Sequence, residues 1–217
     1  MTRRALLVMA KQPVPGLTKT RLTPPLTPEQ AAGLYAALLH DTLDAVRAAQ
    51  SIFPFTPYIA YYPEEAKESF RALAPDFQLV LQRGQTLSER LQSVLSAVQA
   101  QGYDQVAAIN SDSPSLPPAY LTGAFEELDK PEIDAVFGPC EDGGYYLIGW
   151  KRPYPRLLRE VTMSTPHVLS DTLAIVRQER IEVAALPAWY DVDDVADLER
   201  LRTDENAGAH TRAFFAE

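Results

Sequence analysis

The first chemically informative residues of this 217-residue chain are basic and lie near its start. Lys11, Lys19 and Arg21 fall in a segment rich in proline and glycine, and no Asp or Glu precedes Glu29. Lysine and arginine side chains commonly bind phosphate oxygens, and glycine lets a ligand approach the backbone closely. A basic loop in a chain of net charge −9 therefore predicts a local anion site, for the phosphate of a small ligand. The alternative is a solvated basic loop without a ligand.

Two carboxylate motifs occur later in the chain. Asp112 follows the apolar run 105–109, and Asp191, Asp193 and Asp194 crowd into four residues. Carboxylates at the end of a buried strand can hold Mg²⁺ or Mn²⁺, hard cations that prefer oxygen ligands and bridge to phosphates. The alternative for Asp112 is a turn residue, because Asp-x-Pro is common turn chemistry. Asp194 is expected to cap a helix.

A third motif, Glu141-Asp142-Gly143-Gly144, lies between two predicted strands. Asp-Gly-Gly is typical of a hairpin turn, and that interpretation holds with or without a function. The adjacent carboxylates and the space left by two glycines also suit recognition of a polar acceptor. Cys140 is the only cysteine, so an intramolecular disulfide and a cysteine-based zinc cluster are excluded, and a buried thiol is expected.

The composition is typical of a globular protein, with 46% hydrophobic and 23% charged residues. The net charge of −9 argues against binding to nucleic acid or to an anionic membrane, because both need a basic face. No apolar run approaches the roughly 18 residues of a membrane span, and the first run is too short for a signal peptide. We therefore expect a soluble, cytoplasmic protein.

Apolar runs of strand length alternate with segments of helical spacing. Strands are predicted at 5–10, 58–62, 77–81, 105–109, 134–137, 145–148 and 181–186. Helices are predicted at 28–49, 64–73, 86–101, 118–129, 166–178 and 195–201. This alternation predicts an α/β fold of three layers, with a mostly parallel central sheet covered on both faces. Ligands of such sheets bind outside the carboxyl ends of the strands, which directs attention to the loops that follow them.

The chain is expected to form one domain over residues 1–203, followed by a C-terminal tail over 204–217. The tail is expected to fray or to dock on a partner subunit of a homo-oligomer. His167 follows a helix-start signal, and neither it nor the tail receives a functional role from the sequence.

Taken in order, the motifs resemble those of one family. They are Lys11-x-Pro-x-Pro-Gly16-x-x-Lys19-Thr-Arg-Leu22, Ser111-Asp112-x-Pro114-x-Leu116, Gly138-Pro-x-x-Asp142-Gly-Gly-Tyr-Tyr-Leu-Ile-Gly149, Ser164-Thr-Pro166 and Asp191-Val-Asp193. Over nearly its whole length the chain resembles the largely uncharacterised GT-A-type glycosyltransferase-like family of the nucleotide-diphospho-sugar transferase fold. That superfamily also holds the molybdenum-cofactor and 2-phospholactate guanylyltransferases.

The resemblance implies a phosphate site in the first loop. The segment that begins at Ala10 and includes Gly16 would wrap the phosphates of a nucleotide. Lys11, Lys19 and Arg21 would neutralise their charge, and Lys19 would be catalytic.

The resemblance also implies the rest of the site. Asp112, also expected to be catalytic, and Asp193 would hold Mg²⁺ or Mn²⁺. Gly84 lies in a segment, 82–90, that resembles the one near the base or ribose. Residues Glu141–Gly144 would face the acceptor.

These parts favour a metal-dependent transferase that acts on a nucleotide or nucleotide-sugar and a small acceptor. Nucleotidyl transfer and glycosyl transfer both develop negative charge on a diphosphate leaving group, so both need a metal and basic side chains. The sequence leaves the two open. A non-catalytic nucleotide-binding or scaffold protein is the alternative from another class.

Overall fold

The computed structural model describes residues 2–216, which form a central sheet with helices on both faces. Within these residues the sheet has seven strands in the order β3-β2-β1-β4-β6-β5-β7. The strands are β1 (Arg4–Lys11), β2 (Thr56–Tyr62), β3 (Gln78–Leu81), β4 (Gln105–Ile109), β5 (Ala135–Pro139), β6 (Tyr145–Trp150) and β7 (Val183–Ala185). Only β6 runs antiparallel to its neighbours among the described strands. The predicted α/β class and the mostly parallel sheet are confirmed.

Helices connect most of these strands. They are α1 (Pro28–Ile52), α2 (Lys67–Leu73), α3 (Leu87–Gln99), α4 (Pro118–Asp129), α5 (Arg156–Arg159), α6 (Val168–Glu179), α7 (Val195–Thr203) and α8 (Ala209–Ala216). Short 3₁₀ turns cover Thr20–Leu22 and Glu64–Ala66. In the part of the chain that the structure describes, no helix combines the length and apolar character needed to cross a membrane.

Local sequence signals fix several helix starts. Thr27 and Thr86 each close a capping box with a residue three positions on, and Asp194 caps α7 with Asp197. Helix α6 was predicted to begin at residue 166, two residues before its observed start at Val168. Helix α5 was not predicted, since a single turn carries no periodic pattern.

The core consists of layers on the two faces of the sheet. Successive side chains of a strand point to opposite faces, so Leu6 and Val8 pack towards α1, α2 and α4. Ala5 and Leu7 pack towards α3, α5 and α6. Side chains of all four residues are fully buried. This arrangement confirms the predicted three-layer architecture.

A third apolar cluster lies at the edge of the sheet where β1 and β4 end. It joins the turn after Lys19 to α1, to α7 and to the segment that precedes α7. Its buried members are Leu22, Leu26, Ala31, Leu34, Leu38, Tyr190, Val192, Leu198, Leu201 and Ala207. The cluster holds together loops that are far apart in sequence. Its members Leu22 and Val192 lie within three residues of the predicted site residues Lys19 and Asp193.

The C-terminal tail packs on its own chain. Helix α8 lies against α1, so the expectation that the tail frays is wrong, whereas its docking on a partner subunit stays a prediction. The buried Asp41 of α1 accepts hydrogen bonds from the backbone N–H groups of His210 (2.9 Å) and Thr211 (2.8 Å). Its carboxylate therefore caps the start of α8 from another helix. The domain boundary at residue 203 stays a prediction.

Asp41→Ala should detach α8 while leaving the sheet intact. Loss of two charge-assisted hydrogen bonds at a helix start should lower the free energy of unfolding by about 1–2 kcal/mol. Urea denaturation measures the loss, and limited proteolysis should cut first within 204–216. Glu29→Ala, on the exposed surface of α1 and without a hydrogen bond or ion pair to α8 among the described residues, is the matched control and should cost less than about 0.5 kcal/mol. Equal losses in the two variants would contradict the capping role.

Candidate functional site

Lys19 lies between two carboxylates at the carboxyl edge of the sheet. Its Nζ donates to Asp112 Oδ2 at 2.6 Å and to Asp193 Oδ1 at 2.8 Å. Only 7% of the Lys19 side chain is exposed, against 22% for Asp112 and 43% for Asp193. Burial lowers the pKa of Lys19, but the two carboxylates outweigh it and hold that pKa above its ordinary value. The ammonium is therefore charged at neutral pH.

The local backbone aims Lys19 inwards. Lys19 has a left-handed conformation (φ 49°, ψ 42°) and precedes the 3₁₀ turn Thr20–Leu22. Such a conformation is unfavourable for a residue with a side chain and persists only where the surroundings hold it. Leu22 supplies that hold, because its side chain is fully buried in the third apolar cluster.

Asp112 has a free oxygen for a cation. Among the described residues, its Oδ1 is buried and has no hydrogen-bond partner. A buried carboxylate oxygen without a partner is costly, and hard divalent cations prefer such oxygen ligands. The donor set of Asp112 and Asp193 therefore fits Mg²⁺ or Mn²⁺. The carbonyl of Asp112 also accepts from the N–H of Val192 (3.0 Å), which ties the two aspartate segments together.

Other charged groups surround Asp193. Burial raises the pKa of Asp193, but Lys19, Arg21 and Lys11 together hold it below its usual range. An Arg21 guanidinium nitrogen lies 3.7 Å from Asp193 Oδ2. The positive charges predicted for the first loop are thus close to the predicted metal carboxylates.

Asp191 lies in a different environment. Burial, and then the charges of Asp112, Asp193 and Asp142, raise its pKa to about 7. One ligand atom from each of Asp191, Asp142 and Cys140 lies within 4.8 Å of the others. Burial and these carboxylates raise the pKa of the Cys140 thiol, so it stays protonated. The predicted buried thiol is confirmed.

A chain of hydrogen bonds connects the first loop to the Asp112 segment. The backbone N–H of Lys11 donates to the hydroxyl oxygen of Tyr35 (3.0 Å), and the Tyr35 and Ser111 hydroxyls are 2.8 Å apart. Ser111 Oγ donates in turn to the carbonyl of Met9 (2.8 Å). Both hydroxyl side chains are buried, so the chain sets the spacing of β1 from the start of the Asp112 loop.

The segment after β3 is held by backbone and side-chain contacts. Gln82 Nε2 donates to the carbonyl of Ala10 (3.0 Å), which joins this segment to the start of the first loop. Gly84 has φ +125°, and a Cβ there would collide with Glu89. Arg90 donates to the carbonyl of Gly84 (3.1 Å) and lies over the ring of Tyr62. The backbone at Gly84 is therefore fixed by the capping turn of α3.

The Glu141–Gly144 motif forms a tight turn between β5 and β6. Gly144 N–H donates to Asp142 Oδ1 (2.8 Å), and Gly143 has φ +91°. A Cβ at Gly143 would collide with the backbone of Pro166. Glu141 pairs with Arg200 of α7 at 2.6 Å, and this partner holds the pKa of Glu141 below its usual range. The turn confirms the expected hairpin, and it places the carboxylate of Glu141 in an ion pair with Arg200 of α7.

A cavity of about 450 Å³ opens between the start of α3 and the segment 159–164. Its walls include Thr86, Ser88 and Gln92 on one side and Arg159 and Ser164 on the other. The first wall continues from Gly84, and the second leads into Pro166, which touches Gly143. The cavity is therefore lined in part by the predicted base segment, whereas neither the predicted acceptor turn nor the contact of Lys19 with Asp112 and Asp193 forms part of its described lining.

The sequence also matches a known family. Residues 42–165, more than half of the chain, match the family described as "Uncharacterized protein conserved in bacteria (DUF2064)". The chain belongs to the DUF2064 family. No curated protein matches this DUF2064 chain.

Solved structures share the fold of this DUF2064 protein. The "putative nucleotide-diphospho-sugar transferase" from Desulfovibrio desulfuricans G20 is 30% identical, with a TM-score of 0.89 over 100% of this chain and 95% of that chain. A CMP:2-keto-3-deoxy-manno-octonic acid synthetase complexed with CTP is 13% identical (TM-score 0.57; 93% and 97% covered). Glucosyl-3-phosphoglycerate synthase from Mycobacterium tuberculosis, in complex with Mn²⁺, UDP and glucosyl-3-phosphoglycerate, is also 13% identical (TM-score 0.55; 99% and 78%). The expected nucleotide-diphospho-sugar transferase fold is confirmed.

The DUF2064 structure brings some predicted residues together and leaves others apart. Lys19, Asp112 and Asp193 are in contact, and Arg21 lies at their edge. Lys11 makes no ion pair among the described residues, although its charge acts on Asp193. Ala10, Gly16, Gly84 and the turn Glu141–Gly144 do not touch this cluster through any hydrogen bond or ion pair of the described residues. Their predicted roles stay predictions.

Two residues near the site were missed by the sequence interpretation. Asp191 was noted in the acidic run, yet its partial burial beside three carboxylates had no local signal. Tyr35 lies on a buried face of α1, where an aromatic residue is indistinguishable from a core residue in sequence. The hydrogen bonds of Tyr35 to Lys11 and Ser111 become apparent only when the structure places β1 next to the Asp112 loop.

Asp191→Asn should stabilise the metal-free protein at pH 8 and have little effect at pH 4. A pKa raised in the folded state means that the unfolded carboxyl gives up its proton more readily, so wild-type stability falls as pH rises from about 4 to about 7. We expect a gain of at least about 1 kcal/mol at pH 8. Urea denaturation with EDTA across this range measures it. A gain independent of pH would contradict the raised pKa.

Proposed function

We propose that this DUF2064 protein is a metal-dependent transferase acting on a nucleotide or a nucleotide-sugar. The observation that carries the proposal is the contact of Lys19 with Asp112 and Asp193 at the carboxyl edge of the sheet. Carboxylates for a cation and a lysine for phosphate oxygens are the parts that transfer from a nucleotide needs. Relatives of the same fold, one complexed with CTP and one with Mn²⁺ and UDP, support a nucleotide ligand.

Asp112 and Asp193 would hold the cation. A bound Mg²⁺ or Mn²⁺ supplies neutralisation of the negative charge that develops on a diphosphate leaving group. The partnerless, buried Oδ1 of Asp112 supports this assignment more directly than the acidic character of the segment does. The two carboxylates come from segments joined by a backbone hydrogen bond, so their separation is set by the fold.

The first loop would bind the phosphates. Its backbone from Ala10 to Gly16 would follow the diphosphate, and Lys11, Lys19 and Arg21 would bind its oxygens. Fixed positive charges stabilise a developing charge without reorganisation during the reaction, which is the largest contribution available to such a site. The Gln82 contact to Ala10 supports a loop whose start is held in place.

The acceptor would bind beside the turn Glu141–Gly144. Gly84 and its neighbours would lie near the base or ribose, and residues 86–89, which follow Gly84, form part of one wall of the 450 Å³ cavity. The cavity offers hydroxyl groups, an amide and the guanidinium of Arg159, which suits a small polar acceptor.

Nucleotidyl transfer and glycosyl transfer use these parts differently. In the first, an acceptor phosphate attacks the α-phosphate of a nucleoside triphosphate, and pyrophosphate leaves. In the second, an acceptor hydroxyl attacks the sugar carbon of a nucleotide-sugar, and a nucleoside diphosphate leaves. The three basic residues of the first loop favour a triphosphate, and the resemblance to glycosyltransferases favours a nucleotide-sugar.

A thermal-shift screen separates the two reactions. Nucleoside triphosphates and nucleotide-sugars are tested separately with Mg²⁺ and with Mn²⁺. A ligand at about 100 times its Kd should raise the melting temperature by about 5–10 °C in a chain of this size. Stabilisation by triphosphates alone favours nucleotidyl transfer, and stabilisation by nucleotide-sugars alone favours glycosyl transfer. No shift with either class and either cation would refute the proposed function.

Asp112→Asn should abolish the metal-dependent part of any nucleotide-induced shift while the fold is retained. An amide cannot replace a carboxylate as a charged ligand of a hard cation. The matched control is Asp104→Asn, at the opposite end of β4, where the carboxylate accepts from the backbone of Arg3. The control should keep the shift. An unchanged metal-dependent shift in Asp112→Asn would remove Asp112 from the metal site.

A further inference from the structure

The Lys19 ammonium lies where a cation shared by the two carboxylates would lie. Its Nζ is 2.6 Å from one oxygen of Asp112 and 2.8 Å from one oxygen of Asp193. Divalent cations bind carboxylate oxygens at about 2.0–2.6 Å. An ion that used the same two oxygens would occupy nearly the same volume as the ammonium group.

The remaining oxygens offer no independent position. Asp112 Oδ1 has no partner among the described residues, but Lys19 is bound to the other oxygen of the same carboxylate. Asp193 Oδ2 lies 3.7 Å from a guanidinium nitrogen of Arg21. A divalent ion on these oxygens alone would lie beside two positive groups in a partly buried site, where the repulsion is weakly screened.

We propose that Lys19 closes the cation site of the nucleotide-free protein and that the site takes its divalent cation together with a diphosphate-containing ligand. The inference rests on the proposed function. The phosphate oxygens receive the ammonium group, and the two carboxylates become free for the cation. A nucleoside monophosphate has no diphosphate, and a free cation brings no phosphate oxygens, so each supplies only part of this exchange.

The first loop is open to solvent just before Thr18 and Lys19. Leu17 is 77% exposed, and a Cβ at Gly16 would meet no atom within 4 Å. The buried Leu22 fixes the far end of the loop, so the Lys19 side chain can move without exposing the core. The left-handed backbone of Lys19 is held by the buried Leu22 in either state, so only the Lys19 side chain has to move.

This arrangement makes cation and diphosphate binding cooperative. Each ligand removes the contact that opposes the other, so each should raise the affinity for the other by the same factor. Without Lys19 the part of the coupling that comes from this exchange should be lost, leaving only the direct attraction between cation and diphosphate, and the nucleotide-free protein should bind the cation more tightly. If Lys19 served only to bind phosphate, its removal would not raise the affinity of the protein for the cation.

Calorimetric titration with Mn²⁺ alone at pH 8 tests the inference. Lys19→Met should bind Mn²⁺ at least about tenfold more tightly than wild type, because the ammonium no longer competes. Lys11→Met is the matched control: it removes the same charge from the same loop without breaking an ion pair to Asp112 or Asp193. We expect less than about a threefold change in the control. Equal affinities in the two variants, or weaker binding in Lys19→Met, would overturn the inference.

A second variant guards against misfolding. Glycine adopts φ near +49° without strain, so Lys19→Gly removes the ammonium and keeps the local backbone. It should show the same gain, and near-ultraviolet circular dichroism checks that each variant is folded. No gain in a folded Lys19→Gly protein would also overturn the inference.

Inorganic pyrophosphate tests the coupling itself. In each protein its Kd should fall as free Mn²⁺ rises through saturation, and the fall should be at least about threefold greater in wild type than in the Lys19 variants. Equal coupling in all proteins would overturn the inference. These titrations use no nucleotide, so they stand apart from the screen: a failed screen refutes the transferase, whereas a failed Mn²⁺ titration refutes only the role of Lys19.

Discussion

Partly buried negative charge is the constraint on which the site of this DUF2064 protein depends. Asp112 and Asp193 are brought together at one edge of the sheet, and charges taken out of water are costly unless they are paired. Lys19 supplies the pairing, at 2.6 and 2.8 Å. Removing one partner of such a group leaves the others uncompensated, so the three residues form a unit.

Apolar packing, rather than the charges themselves, supplies the geometry. Leu22 lies three residues after Lys19, Val192 lies between Asp191 and Asp193, and both side chains are fully buried in one cluster. The hydrogen bond from Val192 to the Asp112 carbonyl then sets the distance between the two carboxylate segments. A rigid apolar base of this kind lets a polar site keep its spacing when a ligand changes its charge balance.

Much of the fold was predictable because its signals are local. The strand over 105–109 and the helix over 118–129 were predicted at their observed limits, and the capping boxes at Thr27 and Thr86 were both confirmed. The Asp-Gly-Gly turn signals that β6 is antiparallel to β5, but the pairing of β6 with β4 and the docking of α8 carry no such local signal. The first is decided by the order of the strands in the sheet, and the second by the contact of Asp41 with the start of α8.

The sequence by itself determined which residues have the chemistry: a basic loop after the first strand, an aspartate after the fourth and an acidic run near the end. It also determined that most of them follow strands of an α/β protein. Only the tertiary structure decided that Lys19 lies between two carboxylates 93 and 174 positions away, and that Tyr35 joins the first loop to Ser111. The physical reason is the distance along the chain over which each kind of interaction acts. Helix caps and strand periodicity act over a few residues, whereas these contacts depend on strand order, which the packing of the whole core selects.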